Sequence, residues 1–193
     1  MRTWLQLTRA HTAPLEIVPA VLGSLLALEG ELASAVVLWG VFGLLYHLAG
    51  YGHNSVEDYR KGYDENDPYK QHHPMNSQGK IFELGASFII TGLIVITAAY
   101  AVALAFPNIY ALGLIVVMMT AGLAYNLYGK QTKYKFILIS VAHSTVFALP
   151  YLSLGGDVFN PVFILSWMFV FFWVIFQIAI SGEIKDILTD EDN

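Results

Sequence analysis

The residues best suited to chemistry lie in an acidic group near the end of the first third of the chain. Asn54 and Asp58 are four residues apart, so on a helix their side chains share one face. Gly62 permits a tight turn that would bring Asp64 back toward them. Glu57 is adjacent to Asp58 and points to a different side of the same helix, where we expect it to be solvated.

A second acidic group lies near the end of the sequence. Glu183, Asp186 and Asp190 follow the i, i+3, i+7 spacing and would share one helical face, with Lys185 between them. Carboxylates repel one another, so a site that gathers several usually holds cations. Carboxylate and amide oxygens suit Mg²⁺, which binds through one or two carboxylates together with phosphate oxygens of a substrate. The two groups together would hold Mg²⁺ around one diphosphate, and nearby Lys and Arg side chains would bind its remaining charge.

Other interpretations of these polar residues remain open. Helix ends that leave a membrane are often rich in Asp, Asn and Lys simply because they meet water. His47 and His143 fall inside apolar runs, where an ionisable residue is a functional candidate, although a neutral, hydrogen-bonded histidine is the alternative. The adjacent pair His72 and His73 would not share a helix face, which favours a solvated loop over a metal site.

The elements that carry these residues must be membrane-spanning helices. Of the 193 residues, 56% are apolar and 13% are charged, whereas roughly a quarter of the residues in soluble domains are charged. Apolar runs close to the length of about 20 residues that crosses the hydrocarbon core recur along the chain. The predicted spans are Pro14–Leu28, Ser34–Gly52, Lys80–Phe106, Ile109–Leu127, Phe136–Leu154 and Val162–Ser181. We therefore predict an all-α, polytopic transmembrane bundle of about six spans, forming one domain over residues 1–193.

The positions of the cations predict the orientation of this bundle. All ten Lys and Arg residues lie before the first span, after the last span, or in the links after the second and fourth spans, with Lys80 at the border between the second link and the third span. The three opposite links carry Glu29, Glu31 and Asp157 and no cation. The positive-inside rule then predicts a multi-pass protein of the cell membrane with both termini and both acidic groups on the cytoplasmic side. The mild net charge of −5 indicates no polyanionic partner such as a nucleic acid.

Four segments, in order, resemble motifs of one known family, the UbiA family of intramembrane prenyltransferases. Asn54–Asp64 resembles its first aspartate-rich motif, and Glu183–Asp190 resembles its second. His73–Ile81 resembles the Arg-Pro-Leu-x-Ser-Gly-x-Ile segment of the family, and Tyr125–Thr132 resembles its Tyr-x-x-x-x-Lys-Arg-Thr segment. The four segments cover the chain from the second span to its end.

The sequence departs from the family pattern at several positions. Ser55 stands where the family often has a second Asp, and Gly62 stands where many members have a third, with Asp64 two places on. That spacing is similar to the menaquinone-type branch, which attaches a prenyl chain to a dihydroxynaphthoate. Glu183 replaces an Asp and Gln131 replaces an Arg. Members of the family have about nine helices, so the resemblance implies that three helices of the family fold are missing from this sequence.

The resemblance implies Mg²⁺-dependent transfer of a prenyl group from a polyprenyl diphosphate to a small aromatic or lipid acceptor, as in quinone biosynthesis. The implied metal ligands are Asn54, Asp58, Asp64, Glu183, Asp186 and Asp190. Asp58, Asp64, Asp186 and Lys130 are the implied catalytic residues. The implied diphosphate-binding residues are Asn54, Arg60, Tyr125, Lys130 and Lys185.

Two other classes of protein stay open. One is a non-catalytic subunit that keeps the motifs and depends on a second subunit for the missing helices. The other is a transporter of cations or solutes, which would carry its ionisable groups nearer the middle of the membrane. The gathering of the carboxylates at one face favours the enzyme.

Overall fold

The computed structural model describes residues 2–62, 74–129, 132 and 134–180. Within those residues the chain forms seven α-helices and no strand. The helices are α1 (Arg2–Leu7), α2 (Pro14–Ala27), α3 (Ser34–Arg60), α4 (Pro74–Ala105), α5 (Ile109–Tyr128), α6 (Lys135–Ser153) and α7 (Pro161–Val174). A short 3₁₀-helix, Ala10–Thr12, precedes α2, and a π-helix, Ile175–Ile180, continues α7. The predicted all-α helical bundle is confirmed.

The apolar helices coincide with the runs predicted from the sequence. Among the described residues, five segments are long and apolar enough to cross a membrane, namely Ala10–Ala27, Ser34–Arg60, Gln78–Ala105, Ile109–Tyr128 and Lys135–Ser153. A sixth apolar helix, Pro161–Gln177, is shorter. Large apolar side chains cover the outer surface of the bundle, and Ile81 and Phe88 are 88% and 82% exposed. Such a surface suits contact with lipid chains rather than with water.

Local sequence signals set where several helices begin. Pro14 occupies the first turn of α2, where its missing N–H costs no helical hydrogen bond. The side chain of Asn108 caps α5 by accepting hydrogen bonds from the N–H groups of Tyr110 and Ala111. Asn160 caps α7 in the same way.

Two helices extend beyond the predicted spans at the end of the bundle that carries the first acidic group. The second span was predicted to end at Gly52, but α3 continues to Arg60. α4 begins at Pro74 rather than Lys80, with a break at Gly79, whose φ of 74° and ψ of −165° suit only glycine. Asn54 and Asp58 therefore lie on a continuous helix, which fixes their relative positions.

α6 forms the centre of the bundle. It packs against α2, α5 and α7, while α3 packs against α2 and α4. The core between them contains Trp39 and Phe42 from α3, Val146 and Leu149 from α6, and Phe163 from α7, all at most 1% exposed.

Glycines allow α2 to approach both α3 and α6 closely. A Cβ atom at Gly43 of α3 would lie 2.7 Å from the backbone oxygen of Glu16 in α2. A Cβ atom at Gly23 of α2 would overlap the backbone oxygen of Phe147 in α6. Small residues at such crossings let helices in membranes pack backbone against backbone. As a result, side chains on α2 reach both neighbouring helices.

Candidate active site

The helix α3 places Asn54 and Asp58 in direct contact. The amide Nδ2 of Asn54 donates a hydrogen bond to Asp58 Oδ2 at 2.9 Å, and Asp58 is only 1% exposed. Ser55, at the position of the family's second Asp, is turned away from this pair and donates to the backbone oxygen of Leu7 at 2.9 Å. The predicted Asn54–Asp58 face is therefore present, and Ser55 instead attaches α1 to α3.

Arg60 is held by carboxylates of the bundle itself. Its guanidinium contacts Glu57 Oε1 at 2.9 Å and Glu83 Oε1 at 2.7 Å, and it donates to the hydroxyl of Ser87 at 2.9 Å. The expectation that Glu57 is solvated is wrong, because this residue is only 8% exposed and pairs with Arg60. The cause is the neighbouring helix α4, which brings Glu83 and Ser87 against this side of α3.

The end of α5 is attached to the end of α3 beside the acidic pair. Asn126 Nδ2 donates to the backbone oxygen of Gly50 at 3.1 Å and lies 3.0 Å from His53 Nδ1. Lys61 Nζ donates to the backbone oxygen of Asn126 at 3.1 Å. Tyr125, predicted to bind diphosphate, precedes Asn126 and is half-buried at the same end of the bundle.

The remaining predicted site residues lie outside the described part of the chain. They are Asp64, Lys130, Glu183, Lys185, Asp186 and Asp190. Among the described residues, no group of three or more His, Cys, Asp or Glu side chains is arranged to hold a metal ion. The pair Asn54 and Asp58 nevertheless has the oxygen donors that Mg²⁺ prefers, so its chemistry fits the predicted metal.

A second polar group lies deeper in the bundle, and sequence reasoning missed its central member. Glu16 of α2 is 1% exposed and contacts His47 of α3 and His143 of α6. A lone Glu inside an apolar run was the signal that could have identified it, because an ionisable residue at membrane depth is rarely without a function. His47 and His143 were recognised as candidates from the sequence, but Glu16, which both of them contact, was not.

The described fold and site define a multi-pass helical membrane protein with a buried Asn–Asp pair where two of its long helices end. The chain matches the model of the UbiA prenyltransferase family over residues 17–192. It therefore belongs to this family of membrane prenyltransferases, as the sequence motifs predicted. Comparison of the chain with curated proteins and with solved structures gave no match.

Proposed function

We propose that the chain transfers a prenyl group from a polyprenyl diphosphate to a small aromatic acceptor, with Mg²⁺ as cofactor. The diphosphate binds at the end of the bundle where α3 and α5 terminate. This end faces the cytoplasm, because the link after each of these helices carries Lys or Arg and the opposite links carry none. The acceptor is a quinone precursor, as in the menaquinone-type branch whose motif spacing the sequence resembles.

The observation that carries this proposal is the contact between Asn54 and Asp58 in a member of the UbiA family. The Asp58 carboxylate lies inside this end of the bundle, because only 1% of the residue is exposed. The Asn54 amide fixes the orientation of the Asp58 carboxylate through the 2.9 Å hydrogen bond. Such preorganisation keeps the ligand oxygens in place before the substrate arrives.

The proposed metal ligands are Asn54 and Asp58, completed by Asp64, Glu183, Asp186 and Asp190. Mg²⁺ held there would neutralise the charge that develops on the leaving diphosphate. Lys130, with Lys185, supplies further positive charge to the phosphate oxygens. Arg60 is proposed to contribute less than these lysines, because Glu57 and Glu83 already neutralise it.

The apolar helices are proposed to hold the isoprenoid tail and to keep water away from the reacting carbon. The interior faces of α2, α3, α5 and α6 consist mostly of apolar and aromatic side chains. A bundle of this composition accommodates an isoprenoid tail and excludes the water that would otherwise quench an allylic carbocation.

The test is transfer of a radiolabelled prenyl group to a hydroxylated naphthoate acceptor by the purified protein in lipid nanodiscs. Asp58→Asn is the informative variant, because the new amide oxygen still accepts the hydrogen bond from Asn54 while the charge is lost. We expect the rate to fall by at least about 100-fold, as for other losses of transition-state charge stabilisation. The control Glu31→Gln removes an exposed carboxylate at the opposite end of the bundle and should leave the rate unchanged. Equal rates for wild type and Asp58→Asn would refute the assignment.

A binding measurement tests the same site without turnover. Mg²⁺ and a prenyl diphosphate should together raise the melting temperature by more than the sum of their separate effects. Each ligand neutralises charge that the other leaves exposed, and ligands that bind only the folded state stabilise it by mass action. Purely additive shifts would instead support solvated helix ends without a metal site.

A further inference from the structure

Arg9, in the segment between α1 and α2, has a backbone conformation that is rare for its residue type. Its φ of 47° and ψ of 43° lie in the left-handed region, which favours glycine and disfavours residues with a Cβ atom. Such a conformation persists only where the surrounding structure enforces it, and it is commonest at functional sites. The contacts of Arg9 therefore indicate what its side chain is placed to do.

The backbone of Arg9 is fixed by contacts on both sides. Before it, Leu7 is fully buried, and the backbone oxygen of Leu7 accepts the hydrogen bond from Ser55 on α3. After it, the backbone N–H and the hydroxyl of Thr12 both donate to the carbonyl oxygen of Arg9, each at 2.8 Å. His47 Nε2 lies 3.1 Å from the same oxygen. Three donors thus converge on one carbonyl, and they set the position of Arg9 relative to α3.

A buried carboxylate holds His47 in the orientation that this contact requires. A carbonyl oxygen can only accept a hydrogen bond, so Nε2 of His47 carries a proton. The other ring nitrogen, Nδ1, contacts Glu16 Oε2 at 2.5 Å, and the second oxygen of Glu16 contacts His143 Nε2 at 2.8 Å. Glu16 and His47 are each 1% exposed. The contact at one ring nitrogen fixes the role of the other, so Glu16 acts through His47 on the carbonyl of Arg9.

The side chain of Arg9 rests against an aromatic ring. Its guanidinium carbon lies 5.7 Å from the centre of the Tyr51 ring, and the His47 ring lies 4.5 Å from that of Tyr51. Arg9 is partly exposed, so a ligand can reach it. A guanidinium that lies on a ring keeps the N–H groups at its edge, and these bind phosphate oxygens in pairs.

Two other cations that the structure describes at this end of the bundle are engaged by the protein itself. Arg60 binds two carboxylates, and Lys61 donates to the backbone oxygen of Asn126. Within the described part of the chain, by contrast, no carboxylate forms an ion pair with Arg9. The charge of Arg9 is therefore available to a ligand that brings negative charge of its own.

Tyr51 places this guanidinium beside the candidate diphosphate site. Tyr51, Asn54 and Asp58 are spaced i, i+3 and i+7 on α3, so they share one face of the helix. Three residues correspond to about 4.5 Å along the helix axis, which puts Tyr51 nearly one turn inward from Asn54. The side chain of Tyr51 is also close enough to that of Tyr125 on α5 for an electrostatic interaction. Tyr125 is one of the residues implied to bind diphosphate, so Arg9 and Tyr125 both lie near the same ring.

We propose that Arg9 binds the diphosphate of the prenyl donor, and that Glu16 and His47 are positioning residues that hold Arg9 in place. This inference rests on the proposed prenyl transfer. Asn54 and Asp58, with Mg²⁺, would hold the diphosphate from the cytoplasmic side, and Arg9 binds its oxygens from the inner side. Arginine is not deprotonated in proteins, so Arg9 stays charged while negative charge develops on the leaving diphosphate, and it stabilises that charge.

The first experiment measures the binding of inorganic diphosphate with Mg²⁺ by isothermal titration calorimetry. The protein is held in micelles of a maltoside detergent, which contain no phosphate, so lipid headgroups cannot compete for Arg9. Arg9→Gln should raise the Kd about 10- to 100-fold, because charge-assisted hydrogen bonds to an anion are lost. Arg9→Lys, which keeps the charge without the planar fork, should show a smaller loss of affinity.

The matched control is Lys80→Gln, which removes an exposed cation at the same end of the bundle and should bind as tightly as the wild type. Because no ion pair within the described residues holds Arg9, the melting temperature without ligand should stay nearly unchanged in both Arg9 variants. Wild-type affinity in Arg9→Gln would overturn the proposal.

The second experiment separates the diphosphate from the carboxylate of the acceptor as the ligand of Arg9. In prenyl transfer to a hydroxylated naphthoate, Arg9→Gln should raise the KM for the prenyl diphosphate and leave the KM for the naphthoate unchanged. A rise confined to the naphthoate would overturn the proposal. Failure of the proposed function itself would look different, because the wild-type protein would then show neither transfer nor binding of diphosphate with Mg²⁺, and the inference would fail with it.

A double-mutant cycle tests whether His47 acts through Arg9. His47→Gln breaks the link between Glu16 and the carbonyl of Arg9, so it should weaken diphosphate binding when Arg9 is present. In the Arg9→Gln background the same change should have little further effect, because the positioned guanidinium is already absent. Losses of equal size in the two backgrounds would indicate a general structural role and overturn the assignment of His47 as a positioning residue.

Discussion

The close crossing of α2 and α3 at Gly43 predicts a specific steric effect. In Gly43→Ala the added Cβ would lie 2.7 Å from the Glu16 backbone oxygen and 2.9 Å from Ile17 Cα. Both are backbone atoms, so no side chain can rotate away and α2 must retreat by about 0.7 Å to reach ordinary contact. Overpacking of this kind costs about 1–3 kcal/mol.

Gly50→Ala is the matched control, because a Cβ at Gly50 of the same helix meets nothing within 4 Å. Both variants gain up to about 1 kcal/mol of helix propensity when glycine becomes alanine. That gain cancels in the comparison, so Gly43→Ala should be less stable than Gly50→Ala by about 1–3 kcal/mol.

The measurement is reversible unfolding in mixed micelles with increasing SDS, followed by circular dichroism. The retreat of α2 should also lengthen the contact between Glu16 and His47. Equal free energies of unfolding for the two alanine variants would show that α2 and α3 do not touch at Gly43, and would contradict the close packing that brings Glu16 to His47.

Three further predictions address other parts of the bundle. Arg60→Gln should lower the free energy of unfolding by about 1–3 kcal/mol, because the buried carboxylates of Glu57 and Glu83 lose the cation that they share. Adding Glu83→Gln to this variant should recover part of the lost free energy in the same SDS titration. Asn126→Ala should cost about 1–3 kcal/mol by removing the hydrogen bonds that join α5 to α3, and it should weaken the joint stabilisation by Mg²⁺ and prenyl diphosphate in a melting assay. Cysteines introduced at the exposed positions Glu31 and Tyr134 should react with an impermeant maleimide from opposite sides of the membrane; labelling from one side would contradict the proposed orientation.

The sequence by itself determined the features of this protein that depend on short-range order. Apolar runs of membrane-spanning length predicted the helices, because the membrane requires each spanning segment to satisfy its own backbone hydrogen bonds. The spacing of Asn54 and Asp58 predicted their contact, because residues four apart on a helix are neighbours wherever the helix lies. The motifs predicted the family for the same reason, since each is a short stretch of chain.

Only the tertiary structure decided which distant side chains meet. No spacing rule predicts that Glu57 is buried. The packing of α4 on α3 buries it, because α4 brings Glu83 to the guanidinium of Arg60, which also contacts Glu57. Glu16 and His143 are far apart in the sequence, and they touch because glycines let α2 approach both neighbouring helices. Helix-crossing geometry depends on the fit of whole surfaces, so no pattern within one helix encodes it. That is why the contact of Asn54 with Asp58 on α3 could be predicted from the sequence, whereas the contacts of Glu16 with His47 and His143 could not.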